Sequence, residues 1–112
     1  MHFNFQSKDT ICALSTAAGM AAIAVVRISG STSFDVVSKY FKAKSKKFSF
    51  ETARSHGVYF GEFFDQDELV DEVLVSVFKA PHSYTGENMV EISCHGSTYI
   101  QQRILMLLLD NG

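Results

Sequence analysis

The residues best able to do chemistry in this sequence lie on one short run of alternating apolar and polar side chains. In residues 90–95, Val-Glu-Ile-Ser-Cys-His, an apolar residue falls at every second position, which is typical of a half-buried β-strand. The carboxylate of Glu91, the hydroxyl of Ser93 and the imidazole of His95 therefore share the face opposite the apolar one. Such a face can line a ligand site, but a solvated sheet face has the same pattern. The run alone leaves both interpretations open.

A second candidate residue interrupts an apolar, β-branched run. Residues 23–30, Ile-Ala-Val-Val-Arg-Ile-Ser-Gly, predict a strand buried on both faces, with Arg27 inside it. Because a desolvated, unpaired guanidinium is strongly destabilising, Arg27 requires a carboxylate, a set of carbonyl groups or a ligand. An internal ion pair, or a guanidinium that reaches water beyond its apolar stem, also meets this requirement. Arg27 is therefore open to a binding role and to a structural role.

Several common catalytic and metal-binding arrangements do not fit the sequence. Cys94 and His95 are neighbours on the predicted strand and point to opposite faces, which prevents a Cys–His hydrogen bond. The histidines are scattered and both cysteines lie in apolar runs, so the spacing of a zinc site is lacking. The sequence contains no P-loop, no G-x-G-x-x-G and no G-x-S-x-G motif. These observations favour a ligand-binding or assembly domain over a self-contained catalyst.

Length and composition favour one globular domain. The chain has 112 residues, of which 46% are hydrophobic, enough for one core without a metal or a disulfide. The net charge of -2 gives no basic footprint for nucleic acid, and the lysines between Lys42 and Lys47 favour a solvated loop over a phosphate-binding patch. Cys12 and Cys94 are expected to be reduced, buried side chains. With no signal peptide and no long apolar run, the sequence predicts a cytoplasmic protein without membrane association.

The elements that position the candidate residues are expected in the order β-β-α-β-β-β-α. A first strand at residues 9–15 is followed by a flexible connection to residue 22 and by the strand that carries Arg27. A helix is expected to begin with a capping box from Thr32 to Asp35 and to run to about Lys42. Residues 51–64 and 69–79 predict an antiparallel hairpin, whose acidic turn lacks the spacing of a calcium loop.

The last part of the chain predicts the strand that carries Glu91 and then a helix. Ser97 is expected to cap this helix, which presents Tyr99 and Ile104 on its apolar side and Gln101 towards solvent. Residues 111–112, Asn-Gly, supply a C-terminal stop. The whole pattern predicts a single α+β domain with a mostly antiparallel sheet and two helices.

Five short motifs together resemble one known family. They are Asp9-Thr10-Ile11, Arg27-Ile28-Ser29-Gly30, Ser83-Tyr84-Thr85-Gly86-Glu87, Val90-Glu91 and His95-Gly96. Their order across nearly the whole chain resembles the N-terminal domain of the tRNA modification GTPase family MnmE, also called TrmE. The resemblance implies a fold similar to the tetrahydrofolate-binding domains of glycine cleavage T-protein.

The same resemblance implies a homodimer that binds a one-carbon folate near the dimer interface, as 5-formyl- or 5,10-methylene-tetrahydrofolate. The folate contacts of the family fall here on Arg27 and Glu91. A carboxylate can accept hydrogen bonds from the amino group and the neighbouring ring N–H of a pterin, and such charge-assisted bonds are strong. Arg27 can donate to a carbonyl or carboxylate of the folate.

The resemblance also implies parts outside residues 1–112: a helical domain and a GTP-binding domain that takes GTP, Mg and K. It further implies an FAD-dependent partner protein and tRNA, whose wobble uridine the complex modifies in the 5-carboxymethylaminomethyl pathway. Residues 1–112 are thus expected to be an N-terminal folate-binding and dimerisation fragment that is not catalytic alone. The sequence departs from the family at residues 17–22, usually rich in Pro, Gly and Arg, and at residues 94–97, where the usual Gly-His-Gly-Gly is Cys-His-Gly-Ser.

Two other functions remain to be distinguished from folate binding. In one, the chain is a purely structural dimerisation module whose Arg27 and Glu91 pair with each other. In the other, it is a folate enzyme resembling the aminomethyltransferases, which is disfavoured because such enzymes are much longer.

Overall fold

One antiparallel sheet organises the chain, for which the computed structural model describes residues 4–6, 10–14 and 23–110. Its strands are β1 (Asn4–Gln6), β2 (Thr10–Leu14), β3 (Ile23–Gly30), β4 (Phe41–Ala43), β5 (Gly57–Asp65), β6 (Glu68–Phe78) and β7 (Met89–His95). Their order in the sheet is β1-β2-β3-β7-β6-β5-β4, with antiparallel pairing throughout. Two helices, α1 (Ser33–Ser38) and α2 (Thr98–Asp110), complete the fold. The predicted α+β class with a mostly antiparallel sheet is confirmed.

The hydrophobic core lies on one face of this sheet. Alternate residues of the three central strands are almost fully buried there, among them Val26, Ile28, Val73, Val75, Val77, Val90 and Ile92. Both helices add apolar side chains to the same cluster, namely Val36, Val37, Ile104, Leu105 and Leu108. Because side chains alternate between the faces of a strand, Arg27 and Glu91 lie on the opposite face, which we call the outer face. The alternation predicted for residues 90–95 is confirmed.

The prediction that the strand around Arg27 is buried on both faces is wrong. Along β3 burial alternates, and Ile23 on the outer face is 64% exposed. The helices cover the sheet on the core side, so the β-branched run marks a central strand rather than a doubly covered one.

The first helix is shorter than predicted, and its N-terminus has no capping box. It ends at Ser38, and Phe41 begins β4, in which it pairs with Phe63. Aromatic residues at this spacing suit a helix and a strand alike, and pairing with β5 decides the outcome. Thr32 occupies the N-cap position without a side-chain cap, and its hydroxyl hydrogen-bonds to the hydroxyl of Thr10 instead.

The second helix begins as predicted, although its faces are partly different. The backbone N–H of Ile100 donates to the Ser97 hydroxyl at 3.1 Å, which confirms the predicted cap. Tyr99 is 66% exposed, whereas Gln101 is buried and its amide donates to the Gly96 carbonyl at 2.8 Å. The predicted orientations of these two side chains are wrong. The buried side of the helix includes the polar Gln101, because its amide hydrogen-bonds to a backbone carbonyl group at the end of β7. Neither described helix is long and apolar enough to cross a membrane.

The predicted hairpin is confirmed as β5 and β6, with its acidic turn bonded to the second helix. Arg103 of α2 donates to the Asp65 carboxylate at 3.0 Å and also to Glu68. The carboxylates of the turn therefore hold a guanidinium, in agreement with the absence of a calcium-loop pattern. The first strand of the hairpin begins at Gly57, later than the predicted residue 51.

Two strands were not predicted, and two predicted segments lie outside the described residues. The unpredicted strands are Asn4–Gln6 and Phe41–Ala43, each of which is only three residues long. The connection at residues 16–22 and the stop at residues 111–112 fall outside the described ranges.

Candidate ligand-binding site

The structure brings Arg27 and Glu91 together on the outer face of the sheet. The two residues are directly opposite each other on the neighbouring strands β3 and β7. The Nε and Nη2 groups of Arg27 donate to Oε2 of Glu91 at 3.0 and 2.6 Å. Their side chains are 36% and 20% exposed, so the ion pair is accessible from solvent. Arg27 therefore has the carboxylate partner that the sequence required.

This ion pair leaves hydrogen-bonding capacity on both residues. Because both bonds converge on Oε2, the Oε1 atom of Glu91 accepts no hydrogen bond from the residues that the structure describes. Nη1 of Arg27 likewise makes no bond within those residues. A carboxylate offers about four lone-pair sites and a guanidinium five N–H groups. The pair can thus receive a ligand that presents donors and an acceptor side by side.

An exposed aromatic ring adjoins the ion pair. The guanidinium carbon of Arg27 lies 5.1 Å from the centre of the Tyr84 ring, within the range of a cation–π contact. Tyr84 is 77% exposed, and its ring centre lies 6.1 Å from that of Phe78. A flat aromatic surface therefore stands beside a charged hydrogen-bonding pair. Sequence analysis noted Tyr84 only as part of a motif, since no spacing rule places a loop residue over a strand.

The loop that carries Tyr84 is held by a set of hydrogen bonds to β3 and α1. The Asn88 carbonyl accepts from the Gly30 backbone N–H at 2.8 Å and from the Ser33 hydroxyl at 3.1 Å. The Asn88 side-chain oxygen accepts from the Ala80 backbone N–H at 2.9 Å. The hydroxyls of Ser29 and Thr85 lie 2.7 Å apart. These bonds fix both ends of the loop and its centre, so Tyr84 extends from an anchored segment.

The outer face also carries exposed apolar side chains, which are interspersed with polar residues such as Glu72, Ser76 and Ser93. Its large apolar side chains come from three strands: Ile23 is 64% exposed, Val58 58%, Phe60 46% and Leu74 45%. The strand pairing places Phe60 opposite Leu74. On the outer face these two residues lie next to the line of paired residues that contains Arg27 and Glu91. An exposed apolar patch of this kind is typical of an interaction surface.

His95 is held by a buried carboxylate that sequence analysis did not identify. Oδ1 of Asp71 lies 2.7 Å from His95 Nδ1, and Oδ2 accepts from the His95 backbone N–H at 2.8 Å. Asp71 is 9% exposed, whereas the His95 side chain is 70% exposed. Four residues along a strand separate His95 from Glu91 by about 13 Å, so His95 does not join the ion pair. The sequence did contain an indication of this buried carboxylate, because Asp71 occupies a core position of β6 and the other core positions of that strand are valine.

The two cysteines are buried and free, as predicted. Cys12 is 2% exposed and Cys94 3%. Burial raises the pKa of the Cys12 thiol to about 12 and that of Cys94 to about 11. Because the thiolate is the nucleophile and the metal ligand, neither side chain is suited to those roles at neutral pH. Across the described ranges no cluster of three or more His, Cys, Asp or Glu side chains is arranged to hold a metal ion.

Comparison with known proteins places this chain in one family. The family model described as GTP-binding protein TrmE N-terminus matches residues 10–112. The chain is 48% identical over 105 residues to a tRNA modification GTPase MnmE of Parabacteroides distasonis, a match that covers 93% of this chain and 23% of the relative. The protein of the same name from Christiangramia forsetii is 52% identical over 101 residues, 90% of this chain and 21% of the relative. The chain thus spans less than a quarter of the length of these relatives.

Proposed function

Since this chain belongs to the family of TrmE N-terminal domains, we propose that it binds a one-carbon tetrahydrofolate and forms a homodimer. The observation that carries the folate proposal is the Arg27–Glu91 pair, which keeps Oε1 and Nη1 available beside an exposed Tyr84 ring. These groups match the family's folate contacts, which fall on Arg27 and Glu91.

Each part of the proposed ligand has a group on the outer face to receive it. The amino group and ring N–H of a pterin are adjacent donors, and Glu91 supplies the charged acceptor. Arg27 supplies donors for a carbonyl or carboxylate of the folate. The Tyr84 ring offers a flat apolar surface for the pterin or the benzoyl ring. The bound folate is 5-formyl- or 5,10-methylene-tetrahydrofolate.

The apolar patch on the outer face supports the homodimer. Ile23, Val58, Phe60 and Leu74 leave large apolar side chains in water in the single chain. Pairing two copies through this patch removes the apolar surface from solvent and gives a self-complementary interface. Since the patch adjoins the Arg27–Glu91 pair, the folate then lies near the dimer interface.

The names of the relatives extend the proposal to the whole protein. We propose that the chain serves in a cytoplasmic tRNA modification GTPase that acts on wobble uridine in the 5-carboxymethylaminomethyl pathway. GTP, Mg and K then belong to a separate GTP-binding domain, and an FAD-dependent protein is the partner in the modification. Residues 1–112 supply folate binding and dimerisation, whereas GTP hydrolysis takes place elsewhere in such a protein.

One observation favours a second candidate, the purely structural dimerisation module. The Arg27–Glu91 pair joins two neighbouring strands within a single chain. In this alternative the pair only joins β3 to β7, and dimerisation proceeds without folate.

Calorimetric titration with 5-formyl-tetrahydrofolate, together with the mass from light scattering, tests the proposal. The folate-binding domain gives saturable binding of one folate per chain and the mass of a dimer. A dimer that does not bind folate supports the structural module, and a monomer that binds folate removes the dimer from the proposal. A monomer that binds nothing contradicts both functions.

A further inference from the structure

A cavity lies apart from the Arg27–Glu91 pair, between α1, β4 and the segment that follows β4. Its volume is about 860 Å³, which is within the usual range for small-molecule sites of roughly 300–1,000 Å³. Neither Arg27, Glu91 nor Tyr84 lines it. The family motifs and the folate proposal therefore leave this cavity unexplained.

The floor of the cavity is aromatic. Phe34, Phe41, Phe48 and Phe50 all line it, and Phe34 stacks on Phe50 with ring centres 5.2 Å apart. The plane of the Phe48 ring is inclined by 89° to that of Phe41, by 76° to that of Phe50 and by 55° to that of Tyr59. None of these three contacts is therefore a parallel stack. Phe48 is only partly buried. The cavity thus has an aromatic lining, including the partly buried Phe48, against which a flat ligand can pack.

The rim of the cavity carries charges of both signs. Lys46 and Lys79 supply cations, and Asp35 and Glu51 supply carboxylates. Lys46 is exposed and lies on the lysine-rich loop for which the sequence favoured a purely solvated role. The structure adds what the sequence did not show, because this lysine borders an aromatic floor.

From this combination we propose that the cavity binds a nucleotide. The base stacks on the aromatic floor at Phe48, as bases do on exposed aromatic side chains in sequence-tolerant sites. The phosphate lies at Lys46, whose ammonium group binds it as a point charge. The carboxylates of Asp35 and Glu51 accept hydrogen bonds from amino groups of the base. The nucleotide is either free in solution or an unpaired residue of an RNA strand.

The test compares two neighbouring lysines. Lys46 lines the cavity and Lys47 does not, although both are exposed on the same loop. Lys46→Ser and Lys47→Ser are made in the 112-residue chain, and adenosine monophosphate, inorganic phosphate and a single-stranded octaadenylate are titrated into each. Since exposed substitutions of this kind change stability little, melting temperatures serve to confirm that both variants fold.

We expect Lys46→Ser to weaken binding of the nucleotide about tenfold, whereas Lys47→Ser stays within about twofold, because one charge-assisted phosphate contact is lost only in the first. Saturable binding of the mononucleotide supports a free nucleotide as ligand, and saturable binding of the octaadenylate alone supports an RNA residue. Equal effects of the two variants, equal affinity for inorganic phosphate and nucleotide, or no saturable binding of either adenosine probe overturn the proposal. The proposed folate site includes none of these lysines. Titration with folate therefore tests the proposed function separately from the nucleotide proposal.

Discussion

At the scale of single residues, the ion pair between Arg27 and Glu91 contributes little to stability. Both side chains are partly exposed, and exposed ion pairs contribute about 0–1 kcal/mol to the free energy of unfolding. A central position in the sheet is therefore occupied by charges that an apolar pair would replace at little cost. This small stabilisation is one reason to assign the pair a role in ligand binding.

The buried thiols give a prediction for pH dependence. Burial raises the pKa of Cys12 from 9.0 to about 12 and that of Cys94 from 9.0 to about 11. Since the folded state holds these protons more tightly than the unfolded state, the stabilisation is complete below pH 9 and is lost as the pH rises towards 11–12. We expect each thiol to reduce the free energy of unfolding by up to about 1.4 kcal/mol per pH unit in that window.

Denaturant titrations at pH 8 and above pH 10, with Cys12→Ala as the comparison, measure this dependence. The variant is less stable at pH 8 because it leaves a cavity, yet it loses less stability between the two pH values. An equal loss in both proteins, or rapid labelling of both cysteines by a thiol reagent in the native chain at pH 8, contradicts the assignment of buried, protonated thiols.

The sequence allowed the separate properties of the site residues to be predicted, but not their contacts. Alternation placed Glu91 on the polar face of its strand, and the apolar run around Arg27 indicated that this guanidinium needs a partner, a ligand or access to water. That the two are directly opposite each other depends on strand register, which follows from the whole sheet. The carboxylate of Asp71, which holds His95, comes from a strand 24 residues earlier, and local patterns do not reveal such a contact.

At the scale of elements, long strands and the second helix were predictable, whereas the short elements were not. β6 and β7 have a clear alternation, and Ser97 has the position of a helix cap. β4 has only three residues, and it forms because β5 lies beside it. Tertiary pairing of this kind decides between helix and strand wherever the local pattern suits both.

Gly61 gives a prediction for this edge of the sheet. A Cβ atom at Gly61 lies 2.4 Å from the Lys42 carbonyl oxygen and 2.5 Å from the Phe41 ring. Gly61→Ala therefore displaces β4 from β5 and is expected to lower the free energy of unfolding by about 1–3 kcal/mol. Thermal or denaturant unfolding measures the loss.

Gly86→Asn is the matched control for this substitution. An added Cβ there meets no atom within 4 Å, and asparagine tolerates its φ of +78°. Because asparagine is among the side chains that best tolerate a positive φ, we expect a loss of less than about 1 kcal/mol. A Gly61→Ala protein as stable as the control contradicts the close approach of β4.

At the scale of the whole molecule, the sheet is covered by helices on one face and leaves apolar side chains exposed on the other. Leu74 lies on the outer face and is 45% exposed, and Met106 lies on α2 and is 50% exposed. Leu74→Glu is expected to give a monomer by light scattering, because it places a charge in the proposed dimer interface. Met106→Glu is expected to remain dimeric. If both variants keep the mass of the parent dimer, or both become monomers, the outer face is not the interface.

Titration of the Glu91→Gln protein with 5-formyl-tetrahydrofolate tests the central proposal most directly. The substitution removes the charge of Glu91 without opening a core cavity, and it places an amide donor against a pterin donor. We expect affinity to fall roughly a hundredfold, by about 2–3 kcal/mol, while the fold and the dimer mass remain. Glu72→Gln, an exposed carboxylate on the neighbouring strand, is the control and keeps the parent affinity. A Glu91→Gln protein that binds folate as tightly as the parent contradicts the proposal, and one that unfolds assigns Glu91 to the purely structural pair.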